Sequence, residues 1–111
     1  MNTDGCIVTT SIDDEVIAEK LARLAIDLGL AGCVQVVPGM KSFYEWQGKV
    51  EKSAEFLVQF KTLHSRYKDL MEMISKNHSY DVPEIIMSRI EDIDKTYHSW
   101  LKAAVHSDRP R

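Results

Sequence analysis

Histidine, cysteine and carboxylate side chains are the groups in this sequence able to hold a metal ion, and one histidine stands out by position. His78 falls at the end of a predicted helix, and imidazole is the commonest side-chain ligand of transition metals. The same position also suits a histidine that hydrogen-bonds the last helical carbonyls. His64, His78, His98 and His106 fall in no His-x-x-x-His pattern and no Cys/His finger. A tight site needs about three or four ligands at compatible spacing. Cys33 offers a soft thiolate suited to copper(I), although a free cysteine is equally at home as a small buried hydrophobe. Packing is the simpler reading for Cys6 as well. Tyr44, Trp46, Tyr80, Tyr97 and Trp100 combine a ring with a polar tip. Such residues line ligand clefts and, more often, interfaces between subunits.

Enzyme motifs are missing. There is no Gly-rich phosphate loop, nucleophile elbow, Cys-x-x-Cys pair or dinucleotide fingerprint, so the sequence predicts a binding protein and no enzyme. Its 111 residues leave room for one domain, spanning 1–111. With 44% hydrophobic and 28% charged residues the chain has an ordinary globular composition. A net charge of -3 with mixed signs offers no basic field for a polynucleotide, which argues against nucleic acid as a partner. No apolar run approaches the roughly 20 residues needed to cross a bilayer. The stretch Met1 to Gly5 lacks the basic and apolar regions of a signal peptide. A cytoplasmic protein is expected, with no membrane partner and with Cys6 and Cys33 as free thiols.

The elements that must position these residues follow from periodicity. Cys6 to Thr10 is a β-branched run that predicts a buried strand. Ser11 followed by Asp14 resembles a capping box and predicts a helix from about Asp13. Val16, Ile17, Leu21, Leu24, Ala25 and Leu28 form its buried face, and Gly29 stops it. A second strand runs from Gly32 to Tyr44, with a bend or bulge at Pro38-Gly39. Gln47-Gly48 turns the chain into a third strand, so that the two form a long hairpin. On that third strand Ala54, Phe56, Val58 and Phe60 face the helices, and Glu55, Leu57, Gln59 and Lys61 face away. Tyr67, Leu70, Met71 and Ile74 mark a second helix, and Ile85 to Ile90 a fourth strand. Asp94 caps a last helix carrying Tyr97, Trp100, Leu101 and Ala104. The core spans about 5–104, and 106–111 read as a loose tail. The fold class is α+β: a ferredoxin-like βαββαβ arrangement with a long hairpin and an extra C-terminal helix.

Five segments in order, Ala31 to Gln35, Tyr44 to Gly48, Glu55 to Thr62, His78 to Ile85 and Tyr97 to Leu101, resemble the CutA family, named for tolerance of divalent metal ions. The resemblance implies a compact homotrimer whose sheets pack together and whose hairpins reach a neighbour. It also implies a divalent metal, copper foremost, as the associated ion. In that family copper binding is linked to a cysteine late in the first strand and to a histidine pair. Thr9 stands here in place of the cysteine, and Asn77-His78 in place of the pair. Ser79 and Asp81 replace the family's usual proline and glutamate. His78 and Cys33 are therefore the candidate metal ligands. Tyr44, Trp46, Glu55, Lys61, Tyr80, Glu84 and Trp100 are the candidates for an inter-subunit cleft. Two other functions remain open: small-molecule sensing of the kind seen in the architecturally similar PII signalling proteins, and a trimeric scaffold for a partner protein.

Overall fold

The computed structural model describes residues 3–105, so the expected tail at 106–111, His106 included, lies outside the described residues. In chain order the elements are β1 (Gly5–Ile12), α1 (Glu15–Asp27), β2 (Cys33–Trp46), β3 (Lys49–Leu63), a 3-10 turn (His64–Arg66), α2 (Tyr67–Asn77), β4 (Ile86–Arg89) and α3 (Lys95–Ala104). The strands form one antiparallel sheet in the order β2-β3-β1-β4. This is the ferredoxin-like α+β arrangement expected, with the long hairpin and the additional helix α3.

Alternation along the two central strands builds the core. Cys6, Val8 and Thr10 of β1 lie opposite Thr62, Phe60 and Val58 of β3, and all six are fully buried. Onto this face α1 lays Ala18, Leu21 and Ala25, and α2 lays Leu70, Met73 and Ile74. Two expectations about the helices need correction. Val16 is 78% exposed, because it lies five residues from Leu21, about 140° around the helix. Met73 takes the buried position expected of Met71: Leu70, Met73 and Ile74 have the i, i+3, i+4 spacing of one face, and Met71 sits about 100° off it.

The start of α1 also differs from the sequence reading. Ser11 still belongs to β1, opposite Leu57, and Asp14 is the cap, its Oδ1 accepting the Ile17 N–H at 3.2 Å. The β1 ladder runs on to Ile12 opposite Phe56, so the helix cannot begin before Glu15. β4 is likewise shorter than expected, covering Ile86–Arg89 only.

The hairpin outruns the rest of the sheet. β1 pairs with β3 no farther than Phe56, whereas β2 and β3 stay paired out to Trp46 opposite Lys49. Residues 40–55 therefore project as a two-stranded ribbon. The register shifts between Val37 and Met40, where Pro38-Gly39 form the expected bulge and Gly39 takes a φ of 82°. At the tip, Gln47 (φ 52°) and Gly48 (φ 78°) both adopt the left-handed conformation of a type I′ turn, whose twist matches the flanking strands.

α3 closes the other end. Asp94 caps it, accepting the Tyr97 N–H at 2.9 Å, and Leu101 lies so close to Gly32 that a Cβ there would stand 2.7 Å from Leu101 Cδ1. His98 Nε2 meets Asp4 Oδ1 at 2.6 Å and ties the helix to the start of β1. That hydrogen bond is the main reason the Asp4 carboxyl titrates below its ordinary value of 3.8. A carboxyl with a lowered folded-state pKa adds stability above its unfolded-state pKa and loses that contribution as pH falls through the folded value. Asp4→Asn should therefore lower Tm above about pH 4 and cease to matter in stronger acid. Because the Asp4 side chain is 54% exposed, solvent screening limits the effect to under about 1 kcal/mol. A Tm difference that persists unchanged down to about pH 2 in paired melts would contradict this account.

Candidate functional site

Two residues of separation along a strand return a side chain to the same face, and the ribbon uses this to build one wall of a cleft. Tyr44 and Trp46 project from β2, and Glu51, Ser53 and Glu55 from β3, with Tyr44 directly opposite Glu51. Ser11 and Asp13, where β1 gives way to α1, contribute at the ribbon's root. Tyr80, Asp81, Val82 and Glu84 form the facing wall. The cleft encloses about 770 Å³.

That second wall is held by the end of α2. The Asn77 side-chain amide donates to the Met73 carbonyl at 2.8 Å, and the His78 N–H closes onto Ile74 O at 2.9 Å. The His78 ring then bridges two elements. Its Nδ1 accepts the Tyr80 N–H at 3.1 Å, which places the ring proton on Nε2, and Nε2 donates to the Ser11 carbonyl at 2.9 Å. The ring meets the Tyr80 ring edge-on, with centroids 4.7 Å apart. Both ring nitrogens are thus engaged, and His78 could coordinate an ion only by giving up one of these bonds.

Tyr80 carries the strut's effect into the cleft. Its hydroxyl donates to Glu55 Oε2 at 2.6 Å, and Glu55 is only 7% exposed. Burial first, then the hydrogen bond to Glu55 and the charges of Glu55 and Asp13, push the Tyr80 hydroxyl well above its ordinary pKa, so it remains a donor. Ser53 Oγ is buried without a hydrogen-bond partner among the described residues. Among the described residues Asp13, Glu51, Glu55, Asp81 and Glu84 put five carboxylates on the lining, and no lysine or arginine joins them. Lys49, opposite Trp46 in the ladder, lies outside the lining.

The structure brings together Tyr44, Trp46, Glu55, Tyr80 and Glu84 of the expected cleft set. Lys61 and Trp100 fall elsewhere, with Cys33 and Tyr97. Lys61 lies opposite Cys33 in the β2–β3 ladder, its Nζ is 5.9 Å from the Tyr97 ring centroid, and the Tyr97 and Trp100 rings are 5.5 Å apart. Sequence reasoning missed Ser11, Asp13, Glu51, Ser53, Asp81 and Val82 as cleft residues. Glu51 and Ser53 carried a usable signal, since they precede Glu55 at steps of two. Asp13 carried none, because a carboxylate beside a helix start reads as a charge for the helix dipole.

A metal site must be judged by these donors. Among the described residues no three His, Cys, Asp or Glu side chains are grouped so as to hold an ion, so these residues do not supply a closed coordination sphere. Cys6 and Cys33 are both free thiols. Burial, the largest influence on Cys6, pushes its thiol up to about 11, and the residue is fully buried. Native protein should therefore show no reaction at Cys6 with a thiol reagent near neutral pH, and full reaction once unfolded. Rapid labelling of Cys6 in a native Cys33→Ala variant would contradict its placement.

An antiparallel sheet with α1 and α2 on one face, and a cleft along its overlong hairpin, defines a small ferredoxin-like α+β protein. The chain belongs to the CutA1 divalent ion tolerance protein family, whose profile matches residues 6–104. Over 96 residues it is 40% identical to the chloroplastic protein CutA of Arabidopsis thaliana, covering 86% of this chain. The chain spans about half of that relative's length, 53%. It is 34% identical to the divalent-cation tolerance protein CutA of Yersinia pestis, covering 93% of this chain and 87% of that protein. The crystal structure of CutA1 from Oryza sativa superposes with a TM-score of 0.91 at 36% identity, covering 96% of this chain and 98% of that one.

Proposed function

We propose that this chain serves in tolerance of divalent metal ions as a cation-binding protein without catalysis, working as a homotrimer in the cytoplasm, with cations gathered in the cleft along the hairpin. The observation that carries the proposal is the lining itself, which among the described residues holds five carboxylates with no lysine or arginine. A concave surface of one sign focuses its field and concentrates counter-ions. Since the described residues offer no closed set of ligands, the ion keeps much of its water or takes further ligands from a neighbouring copy. Affinity is then modest. Among first-row divalent ions copper(II) should bind most tightly, following the general order of complex stability. Binding should weaken in acid, since a carboxylate must be ionised to hold a cation. In this reading His78 acts by positioning Tyr80 and Cys33 stands outside the cleft.

The ribbon supports the trimer. A two-stranded ribbon is marginal by itself, and this one exposes Phe43 (66%) and Val50 (79%), while Leu57 sits half-buried on the face that α1 and α2 leave open. A neighbouring copy would cover these groups. Two unpaired cysteines support a reducing compartment. Small-molecule sensing of nucleotides or organic acids is disfavoured, because the carboxylates would repel such anions.

Calorimetric titration with copper(II) and zinc(II), beside light scattering, tests the proposal. Saturable binding that falls about tenfold or more in Glu55→Gln, in a protein of three times the chain mass, is the expected result. Absence of saturable binding would overturn the cleft as the cation site, and a monomeric mass would overturn the trimer.

A further inference from the structure

We infer that the cleft accepts an organic polycation, a short linear polyamine, through carboxylates and aromatic rings spaced along its hairpin wall; the inference rests on the cleft being the cation site. Three observations favour this ligand class over a bare ion. The first is size, since about 770 Å³ is far more than an ion fills and lies within the range of roughly 300–1,000 Å³ typical of organic ligands.

The second is the separation of charge. Glu51 and Glu55 are four residues apart on one strand, roughly 13 Å along its axis. A single ion cannot bridge them, and among the described residues no three acidic, histidine or cysteine side chains converge on one point. An extended triamine carries ammonium groups at comparable separations. Ser53, between the two glutamates on the same face, has a buried Oγ without a partner among the described residues, an acceptor suited to a donor held between them.

The third is the aromatic wall. Tyr44 and Trp46 are 47% and 61% exposed, and both line the cleft on the glutamates' face of the hairpin. Methylene segments gain by packing on such rings, and ammonium groups are attracted to their faces. A hydrated metal ion gains from neither. Tyr80 is already committed through its hydroxyl to Glu55, so it fixes the carboxylate and leaves the ring contacts to Tyr44 and Trp46.

The test is calorimetry of the full chain with spermidine, butylamine and zinc(II), comparing wild type, Trp46→Ala and Glu55→Gln, with circular dichroism to confirm folding. Saturable spermidine binding is expected, with butylamine at least about tenfold weaker because it carries one charge. In Trp46→Ala the ratio of spermidine to zinc affinity should fall about tenfold; in Glu55→Gln both ligands should weaken. Zinc binding without spermidine binding would overturn this inference while leaving the cation cleft standing. Loss of both ligands in wild type would remove both. Equal affinity for spermidine and butylamine, or an unchanged ratio in Trp46→Ala, would mean diffuse attraction to an acidic surface and would also overturn it.

Discussion

Phe60→Ala should destabilise the fold by about 3–5 kcal/mol, the largest loss expected from a single truncation in this chain. Phe60 is fully buried: it lies opposite Val8 on β1 and Val34 on β2, and belongs to the core cluster shared with α1 and α2. Truncation removes a ring's worth of apolar burial and leaves a cavity that two flanking strands hold open. Domains of this kind have stabilities of about 5–15 kcal/mol, so the variant would retain little margin. Chemical denaturation measures the effect directly, and a loss under about 1.5 kcal/mol would mean that the core relaxes around the missing ring.

Tyr80→Phe should cost about 1–3 kcal/mol, although it removes a single oxygen. The lost hydroxyl is the donor to Glu55 at 2.6 Å, and Glu55, 7% exposed, has little access to water in compensation. A buried carboxylate without its donor bears a desolvation cost that the pair now offsets. The loss should be smaller when Glu55 is already glutamine, because a neutral amide tolerates the missing partner better. A double-mutant cycle isolates that difference, and additivity of the two substitutions would show that the bond contributes nothing specific.

Much of the architecture was legible in the sequence because it rests on short-range rules. The β-branched run at Cys6–Thr10, the alternation through Phe60, the bulge at Pro38-Gly39 and the Asp94 cap each act within a few residues. The errors at Val16 and Met71 have one physical source. Apolar residues adjacent to a helical stripe satisfy a loose periodicity while pointing about 100° or more away from it, and only packing distinguishes them.

The cleft was half legible for a different reason. Tyr44, Trp46 and Glu55 share a hairpin face by simple alternation, but only a second wall makes that face a cleft, and that wall comes from the loop after α2. Lys61 stands six residues beyond Glu55 on β3, on the same face but roughly 20 Å farther along the strand. Membership of one strand segment therefore placed it with the wrong neighbours. The engagement of both His78 nitrogens was invisible in sequence, since it depends on Ser11, 67 positions away.

The ribbon makes the cleft's shape a property of more than the chain's own core. Tyr44, Trp46, Glu51, Ser53 and Glu55 stand on residues that β1 does not reach, whereas Tyr80 and its loop are moored to the sheet through His78 and Ser11. One jaw is anchored and the other is a cantilever. Whatever leans on the outer side of the ribbon sets the gap between the jaws, and by thermodynamic reciprocity a ligand that draws them together alters how firmly that contact is held.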